Sequence, residues 1–270
     1  MSAGTSPPAG PSSSADAPGV SHIRRVLILW LVLSVVGVVA TVILFPLINP
    51  TSASAVSGFA NTTNVVFTAL AMPVVMFVLA FVFYSLYTFR EKAAPDTPAA
   101  DLPDGPNIQA TARQQVAWLG ITAALAFSTV AWGMFGFFKQ TTTNPPNPLV
   151  VNVTGQQWLW TYAYPAQGVT STVLNLPVGR PVEFRVTSKD VLHGFVIDAL
   201  GVAMDANPGW WSVAPIVTPT RIGSYYSHCV ELCGLYHTFM WSTVKVVSKA
   251  NFAAWITANG GRPNGATSSS

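Results

Sequence analysis

The stretch from Val26 to Phe89 contains no charged residue. It holds two long apolar runs, 26–48 and 64–89, which are separated by the small and polar sequence NPTSASAVSGFANTTN. A third apolar run, 116–138, is closed by Lys139. Each run exceeds the ~20 residues that a helix needs to cross a ~30 Å hydrocarbon core. The sequence therefore predicts a membrane anchor of two or three transmembrane helices.

The composition supports a chain that is partly embedded in lipid. Charged residues make up 9% of the chain, against roughly 25% in an average soluble protein. Hydrophobic residues reach 50% and the mean hydropathy is +0.44. The net charge is only +3 and no run of Lys and Arg occurs, so nucleic acid is excluded as a partner.

The positions of the basic residues predict the orientation in the membrane. They occur before the first apolar run and between the second and third, at Arg24, Arg25, Arg90, Lys92 and Arg113. The positive-inside rule then places the N-terminus and the 90–115 loop in the cytoplasm. Everything after Lys139 is expected on the outer face.

The first apolar run has an alternative interpretation. Ala53-Ser54-Ala55 follows it and matches the small-residue pattern at which signal peptides are cleaved. Residues 26–48 are therefore either a retained first helix or part of a signal peptide. Cleavage would leave two helices without changing the side on which the rest of the chain lies.

The segment 144–248 differs from the apolar runs in its composition and in the pattern of its residues. It consists of short segments rich in β-branched and aromatic residues, with Pro, Gly and Asn between them. This spacing predicts an external all-β domain built as a compact antiparallel sandwich or barrel. Ser248 is expected to cap a short helix over 249–259. Residues 1–25 and 260–270, rich in small and polar types, are expected to be disordered.

Both cysteines of the chain lie in HCVELCGLYHTFM, together with two of its four histidines. The candidate ligands are Cys229, Cys233, His237 and Met240, joined by His193 from the distant sequence DVLH. Thiolate, imidazole and thioether together suit copper that transfers electrons. A disulfide and a tetrahedral zinc site remain open alternatives. On a strand His228 would point away from its neighbour Cys229, so it is not expected to be a ligand.

The pattern Cys-x-Glu-x-Cys-x3-His-x2-Met resembles the dicopper (CuA) motif of cytochrome c oxidase subunit II. The stretches VTGQQWLWTYAY, SKDVLHGFVI and VAMDANPG resemble the same family. The resemblance covers about Asn64 to Ser248 and implies that the external domain is a cupredoxin-like Greek-key fold. It also implies a multi-pass protein of the bacterial plasma membrane.

The resemblance further implies a role for individual residues. Cys229 and Cys233 would bridge two copper ions, and His193 and His237 would be the terminal ligands. The weak axial ligands would be Met240 and the backbone carbonyl of Glu231. The side chain of Glu231 would reach a magnesium ion at the interface with the catalytic subunit. Trp158 would be the position at which a docked cytochrome delivers its electron, whereas for Trp160 core packing is equally expected.

The function implied by the resemblance is that of an oxidase subunit that is not catalytic by itself. It would accept electrons from a c-type cytochrome and pass them to haem in catalytic subunit I, where oxygen reduction is coupled to proton translocation. Gln115 stands where the family usually has a Glu at the mouth of a proton pathway. Two alternatives are a membrane-tethered copper-delivery protein and a quinol-oxidising relative, of which the second generally lacks the copper ligands.

Overall fold

The computed structural model describes residues 19–88, 111–141 and 145–263. Three long helices in these ranges are long and apolar enough to cross a membrane, with mean hydropathies of 2.9, 2.7 and 1.6. A fourth helix is short and follows the β-domain. The helices are α1 (Gly19–Ile48), α2 (Ala55–Thr88), α3 (Ala112–Thr141) and α4 (Lys249–Ala258).

The chain divides into two compact units. The first contains α1 and α2 from Val65 onward, and the second contains the 48–64 stretch, α3 and the β-domain. Within the first unit, Trp30 Nε1 donates a hydrogen bond to the carbonyl of Pro73 at 2.7 Å. Gly37 lets the two helices approach, because a Cβ there would stand 3.2 Å from the Met76 side chain.

The helices begin earlier than the apolar runs suggest. Residues 19–25, predicted to be disordered, form the first turns of α1, and 55–63, predicted to be loop, form the start of α2. The start of α2 is fixed by a reciprocal cap in which Ser57 N–H bonds to Ser54 Oγ at 3.1 Å and Ser54 N–H to Ser57 Oγ at 3.3 Å. The usual capping box has Glu or Gln at the second position. A serine there explains why the pattern was missed.

Some predictions fall outside the described residues. These are the disorder of 1–18 and 264–270 and most of the 90–115 loop, of which 112–115 belong to α3. The start of the predicted C-terminal tail is ordered, contrary to expectation. Gly261 N–H bonds to Ile256 O at 2.9 Å and Arg262 N–H to Gln167 O at 3.0 Å. These bonds fasten the end of α4 to the β-domain.

Ten strands form the β-domain, in two five-stranded sheets with the orders β3-β2-β1-β5-β8 and β4-β10-β9-β6-β7. The strands are β1 (Leu149–Gln156), β2 (Leu159–Tyr164), β3 (Val169–Ser171), β4 (Leu174–Pro177), β5 (Val182–Ser188), β6 (His193–Ile197), β7 (Val202–Ala206), β8 (Ser212–Val213), β9 (Gly223–Cys229) and β10 (Trp241–Val247).

The prediction of a purely antiparallel domain is wrong for two of the strand pairs. β1 pairs with β5 and β4 pairs with β10 in parallel, while the other ladders are antiparallel. Both parallel pairs join strands that are distant in sequence, because the chain crosses between the sheets before returning. Such crossovers belong to the Greek-key connection and leave no mark on the alternation of residues within one strand.

The core between the sheets follows from this alternation. Trp160, Tyr162 and Tyr164 lie at every second position of β2 and are buried. Phe195 of β6, in the other sheet, packs against Trp160 and Tyr162 and also against Phe184 of β5. At the far end of the domain, Ser248 caps α4 as predicted, because its Oγ accepts the Asn251 N–H at 3.1 Å. The residues of the copper motif are therefore attached to strands that enclose a well-packed aromatic core.

The stretch before α2 belongs to the β-domain. Ala53 is fully buried; its N–H bonds to Ala199 O and its carbonyl accepts the Thr220 N–H, each at 2.7 Å. Ser54 Oγ donates to Leu200 O at 2.6 Å, and Ser57 Oγ donates to Ala199 O at 2.8 Å. We call residues 53–57 the clasp. It supplies hydrogen-bond partners to backbone groups of the β-domain at Ala199, Leu200 and Thr220.

Candidate metal centre

The five predicted ligands converge at one end of the β-domain. Cys229 is the last residue of β9, and Met240 directly precedes β10. Between them the chain forms a loop that carries Cys233 and a short 3₁₀ turn that starts at His237. His193 opens β6, which pairs with β9 so that Phe195 faces Cys229. The first residue of β6, the last residue of β9 and the connection between β9 and β10 therefore supply all the side-chain donors.

The donor atoms stand at distances that suit metal ligands. The Sγ atoms of Cys229 and Cys233 are 3.8 Å apart. His193 Nδ1 lies 3.9 Å from Cys229 Sγ, and His237 Nδ1 lies 3.5 Å from Cys233 Sγ. Met240 Sδ is 3.7 Å from Cys233 Sγ. Two thiolates bound at about 2.3 Å to one tetrahedral metal stand about 3.8 Å from each other, and a thiolate and an imidazole about 3.5 Å.

The disulfide alternative does not describe this structure. Both cysteines are free and buried, and their sulfurs are far beyond the ~2.05 Å of a disulfide bond. A single zinc ion would use two thiolates and two imidazoles around one point. In this structure each histidine presents its Nδ1 to a different sulfur. With a buried thioether added, the donor set suits copper.

Burial shapes the electrostatics of the two thiols. Burial, followed by the hydrogen bond and charge of Cys229, raises the pKa of the Cys233 thiol to about 11. The Cys229 thiol donates to the backbone carbonyl of Glu231 at 3.2 Å. Because thiolates are the ligands, binding of a metal would release these protons. The carbonyl of Glu231 thus lies beside the sulfurs, where the resemblance expects a weak ligand.

His193 is fully buried and held from behind by Asp190. Its Nε2 lies 2.8 Å from Asp190 Oδ1. Burial tends to raise the pKa of Asp190, but hydrogen bonds from the N–H of Gln157, from His193 and from the N–H of Val191 outweigh it and lower the pKa to about 2. An ionised carboxylate only accepts hydrogen bonds. His193 therefore carries its proton on Nε2, and the Nδ1 lone pair faces Cys229.

The two tryptophans of QWLW have different surroundings. Trp160 is buried and packs edge-on against His193 and Phe195, with ring centroids 5.9 and 5.0 Å apart, so it is a core residue. Trp158 is partly exposed and lies edge-on against Tyr236 at 4.8 Å. Tyr236 belongs to the loop between the ligands Cys233 and His237. Trp158 thus connects the surface to the ligand loop.

The remaining motif residues lie apart from the donor atoms. His228 Nδ1 is 3.6 Å from the Asp198 carboxylate, on the face of β9 opposite Cys229. The side chain of Glu231 is partly exposed.

Asp190 and Gln157 were missed as site residues, although both stand in the stretches that carry the resemblance. The sequence marked these two residues only by position: Asp190 lies three residues before His193, and Gln157 directly precedes Trp158.

The comparison with protein families identifies the β-domain. The model of the family described as "Cytochrome C oxidase subunit II, periplasmic domain" matches residues 168–247, which include all the predicted copper ligands. Residues 168–247 therefore belong to the family of cytochrome c oxidase subunit II periplasmic domains. The helical anchor and the cupredoxin-like Greek-key domain predicted from the sequence agree with this assignment.

Individual members of the subunit II family resemble the chain over different lengths. Cytochrome c oxidase subunit 2 of Cereibacter sphaeroides is 27% identical over 227 residues, which cover 68% of this chain and 70% of that protein. Heme-copper oxidase subunit 2 of Aeropyrum pernix is 42% identical over 115 residues, covering 40% and 49%. The crystal structure of the periplasmic domain of cytochrome oxidase subunit II of Bradyrhizobium japonicum is 30% identical, with a TM-score of 0.41, and covers 44% of this chain and 97% of that domain.

Proposed function

We propose that this chain is the electron-accepting subunit of a haem–copper oxidase and holds a two-copper CuA centre in its β-domain. The observation that carries the proposal is the pair of free thiols 3.8 Å apart, each with the Nδ1 of a different histidine beside it. Two copper ions that share both thiolates gain or lose one electron with little change in bond lengths, which makes electron transfer fast.

Each residue of the centre has one task in this proposal. Cys229 and Cys233 bridge, and His193 and His237 complete one side each. The axial positions are left to Met240, which is 1% exposed, and to the carbonyl of Glu231. The protein then supplies every ligand of the copper ions, so no coordination position remains for a substrate. The chain therefore relays electrons to haem in subunit I. For a magnesium ion at the Glu231 side chain, the support is the family resemblance alone.

The surface around the centre suits a donor that docks by apolar contact. Between Cys229 and Trp241 the only charged residue is Glu231. We call the exposed side chains next to Trp158 the apolar rim; they are Leu232, Leu235, Tyr236 and Phe239, between 50% and 85% exposed. A c-type cytochrome with an apolar ring around its haem edge would bury this rim and bring its haem to Trp158. The donor's electron then has a short route through Trp158 to the ligand loop.

Electron paramagnetic resonance of the full-length chain in detergent, with copper counted per chain, tests the proposal. We expect two copper ions per chain and a spectrum in which one unpaired electron is shared by two copper nuclei. Cys229→Ser and Cys233→Ser should each abolish this spectrum and the oxidation of cytochrome c, while the membrane helices still insert.

His228→Ala is the matched control, because His228 adjoins Cys229 and lies on the opposite face of the strand. Its spectrum should be unchanged; loss of one copper in this variant would contradict the ligand set. A colourless protein that binds only Cu(I) would indicate copper delivery instead. One zinc ion per chain in place of copper would also overturn the proposal.

We infer the membrane orientation from the basic residues and the family. Arg24 and Arg25 lie in the first turns of α1, and Arg113 lies in the first turn of α3, while Arg90 and Lys92 fall outside the described residues. These positions support a cytoplasmic N-terminus and a β-domain on the outer face of the bacterial plasma membrane. Digestion of the β-domain by protease added to the medium of inverted vesicles, but not by protease added to intact spheroplasts, would contradict this orientation.

A further inference from the structure

The two ligand-bearing loops are joined by hydrogen bonds that run through Asp190 and Gln157. Asp190 Oδ1 accepts from His193 Nε2 at 2.8 Å, and its Oδ2 accepts from the backbone N–H of Gln157 at 2.7 Å. The side chain of Gln157 continues the series, because its Nε2 donates to the carbonyl of Cys233 at 2.7 Å. A line of bonds thus leads from one histidine ligand to one cysteine ligand without passing through the donor atoms.

The local structure leaves Asp190 little freedom to turn away. Its Oδ1 also accepts from the N–H of Val191 at 2.7 Å. The Ser188 hydroxyl accepts the N–H of Asp190 at 3.1 Å and donates its proton to the carbonyl of Val191. Three N–H donors, from His193, Gln157 and Val191, therefore fix the orientation of one carboxylate. His193 is fully buried, so Asp190 is the hydrogen-bond partner of its Nε2 in the wild type.

Gln157 has a neighbour that lacks its contacts. Gln156 is of the same residue type and one position earlier, but its Oε1 accepts only a long bond of 3.5 Å from Lys189 Nζ. The chain therefore contains a matched comparison for the amide of Gln157. A difference between the two glutamine variants therefore cannot be attributed to the type of residue that is removed.

We propose that Asp190 and Gln157 are positioning residues of the copper centre. Asp190 fixes His193 as the tautomer with the proton on Nε2, so that Nδ1 is free for the metal, and Gln157 ties this assembly to the loop of Cys233. The effect on copper rests on the proposed function. The effect on the tautomer of His193 does not, because it exists in the metal-free protein.

The first experiment uses the metal-free full chain in detergent, with 15N-labelled histidine. Ring-nitrogen NMR should show His193 protonated on Nε2 in the wild type and a mixture of tautomers in Asp190→Ala. Asp190→Asn offers a single acceptor oxygen and should lie between the two. A purely structural role would leave the tautomer as it is. An unchanged His193 spectrum in a folded Asp190→Ala protein would overturn the proposal.

The second experiment measures how copper is held in the same proteins. Removal of a partner behind a ligand commonly costs roughly 10–100-fold in metal affinity, so we expect a loss in that range for Asp190→Ala and an altered hyperfine pattern. Gln157→Ala should lower copper retention and shift the reduction potential, whereas Gln156→Ala should do neither. Equal behaviour of the two glutamine variants would contradict the role of Gln157.

The two experiments separate failure of this inference from failure of the proposed function. If the wild type binds no copper pair while the tautomer still responds to Asp190, the function is wrong and the positioning of His193 stands. If the wild type binds two coppers and neither readout responds to Asp190, the function stands and the inference is wrong.

Discussion

At the scale of residues, two glycines decide how closely His193 can be surrounded. A Cβ on Gly155 would stand 2.9 Å from Trp160 Cζ3 and 3.0 Å from His193 Cδ2. A Cβ on Gly194 would stand 2.5 Å from Val230 Cγ2 and 3.2 Å from the N of Glu231. The His193 ring is therefore confined by backbone, by Trp160 and by Asp190, which keeps its Nδ1 directed at the sulfurs before any metal arrives.

The sequence allowed candidate ligands to be proposed, but not the contacts that hold them in place. Cys229, Cys233, His237 and Met240 are recognisable because their residue types are rare in this chain and closely spaced. The roles of Asp190 and Gln157 depend on the direction of single N–H and carbonyl groups in loops. Such directions are set by the packing of β6 against β9, which residue types alone do not encode.

Trp158 provides a prediction at this scale. Its Nε1 is buried and has no hydrogen-bond partner among the described residues, so the contribution of the side chain is its ring against Tyr236. We expect Trp158→Ala to slow reduction of the copper centre by a c-type cytochrome by roughly tenfold or more, about 1.4 kcal/mol of barrier. Trp158→Phe, which keeps an aromatic ring, should retain more of the rate. Stopped-flow absorbance measures both, and an unchanged rate in the alanine variant with full copper content would contradict it.

At the scale of elements, apolar run length predicted the three long helices because membrane thickness imposes it directly. The clasp could not be predicted in this way. It consists of small polar residues whose partners, Ala199, Leu200 and Thr220, lie in the β-domain far along the chain. Its bonds exist only once the two sheets have formed, so the sequence showed a loop where the structure has a docked segment.

A substitution at Gly201 tests the contribution of the clasp, because Gly201 lies directly beneath the clasp. Gly201 has a φ of +69°, and a Cβ there would stand 2.8 Å from Val56 Cγ1 and 2.9 Å from the backbone N of Ser57. Overpacking of this kind costs about 1–3 kcal/mol. We therefore expect Gly201→Ala to lower the free energy of unfolding of the β-domain and to expose residues 53–57 to protease.

Gly168→Ala is the matched control, because Gly168 has a φ of +70° with nothing within 4 Å of its Cβ position. Both variants carry the same backbone strain of a left-handed residue, so the difference in their unfolding, followed by tryptophan fluorescence, isolates the contact with the clasp. Equal destabilisation of the two variants would show that the clasp does not bear on the stability of the domain.

At the scale of the whole molecule, the sparse charge limits long-range steering of a partner. From residue 144 to Lys249, the external domain and the first residue of α4 contain five acidic residues against six basic ones: Glu183, Asp190, Asp198, Asp205 and Glu231, against Arg180, Arg185, Lys189, Arg221, Lys245 and Lys249. In addition, the carboxylate of Asp190 is already hydrogen-bonded to His193. A basic donor would therefore find no strongly acidic face on this domain.

Salt dependence checks this view of docking. Steering by charge raises association rates roughly 10–1000-fold, and salt removes that gain. We expect the rate of electron transfer from a soluble c-type cytochrome to fall by less than about threefold between low and high salt, because the apolar rim carries the contact. A steep fall measured by stopped flow would contradict docking by apolar contact.

The fate of the first helix is also decided at this scale. Cleavage after Ala55 would remove Ala53 and Ser54 and leave the groups they satisfy on Ala199, Leu200 and Thr220 without partners. We propose that the first helix is retained. Intact-mass measurement of the protein isolated from membranes should then include residues before Val56, and a mature N-terminus at Val56 would contradict the proposal.

The clasp has a consequence for the order of events during biogenesis. Ser54 leaves the ribosome 146 residues before its partner Leu200, so at about 5–20 residues per second the two are roughly 7–30 s apart. In the proposed orientation, Ala53-Ser54-Ala55 would be exposed during that interval to any peptidase on the outer side that recognises it. The folded β-domain cannot protect the clasp from cleavage, because the domain folds only after the clasp has been synthesised. Cleavage or retention of the N-terminal segment is therefore decided before the β-domain folds, and the domain then folds without or with its clasp.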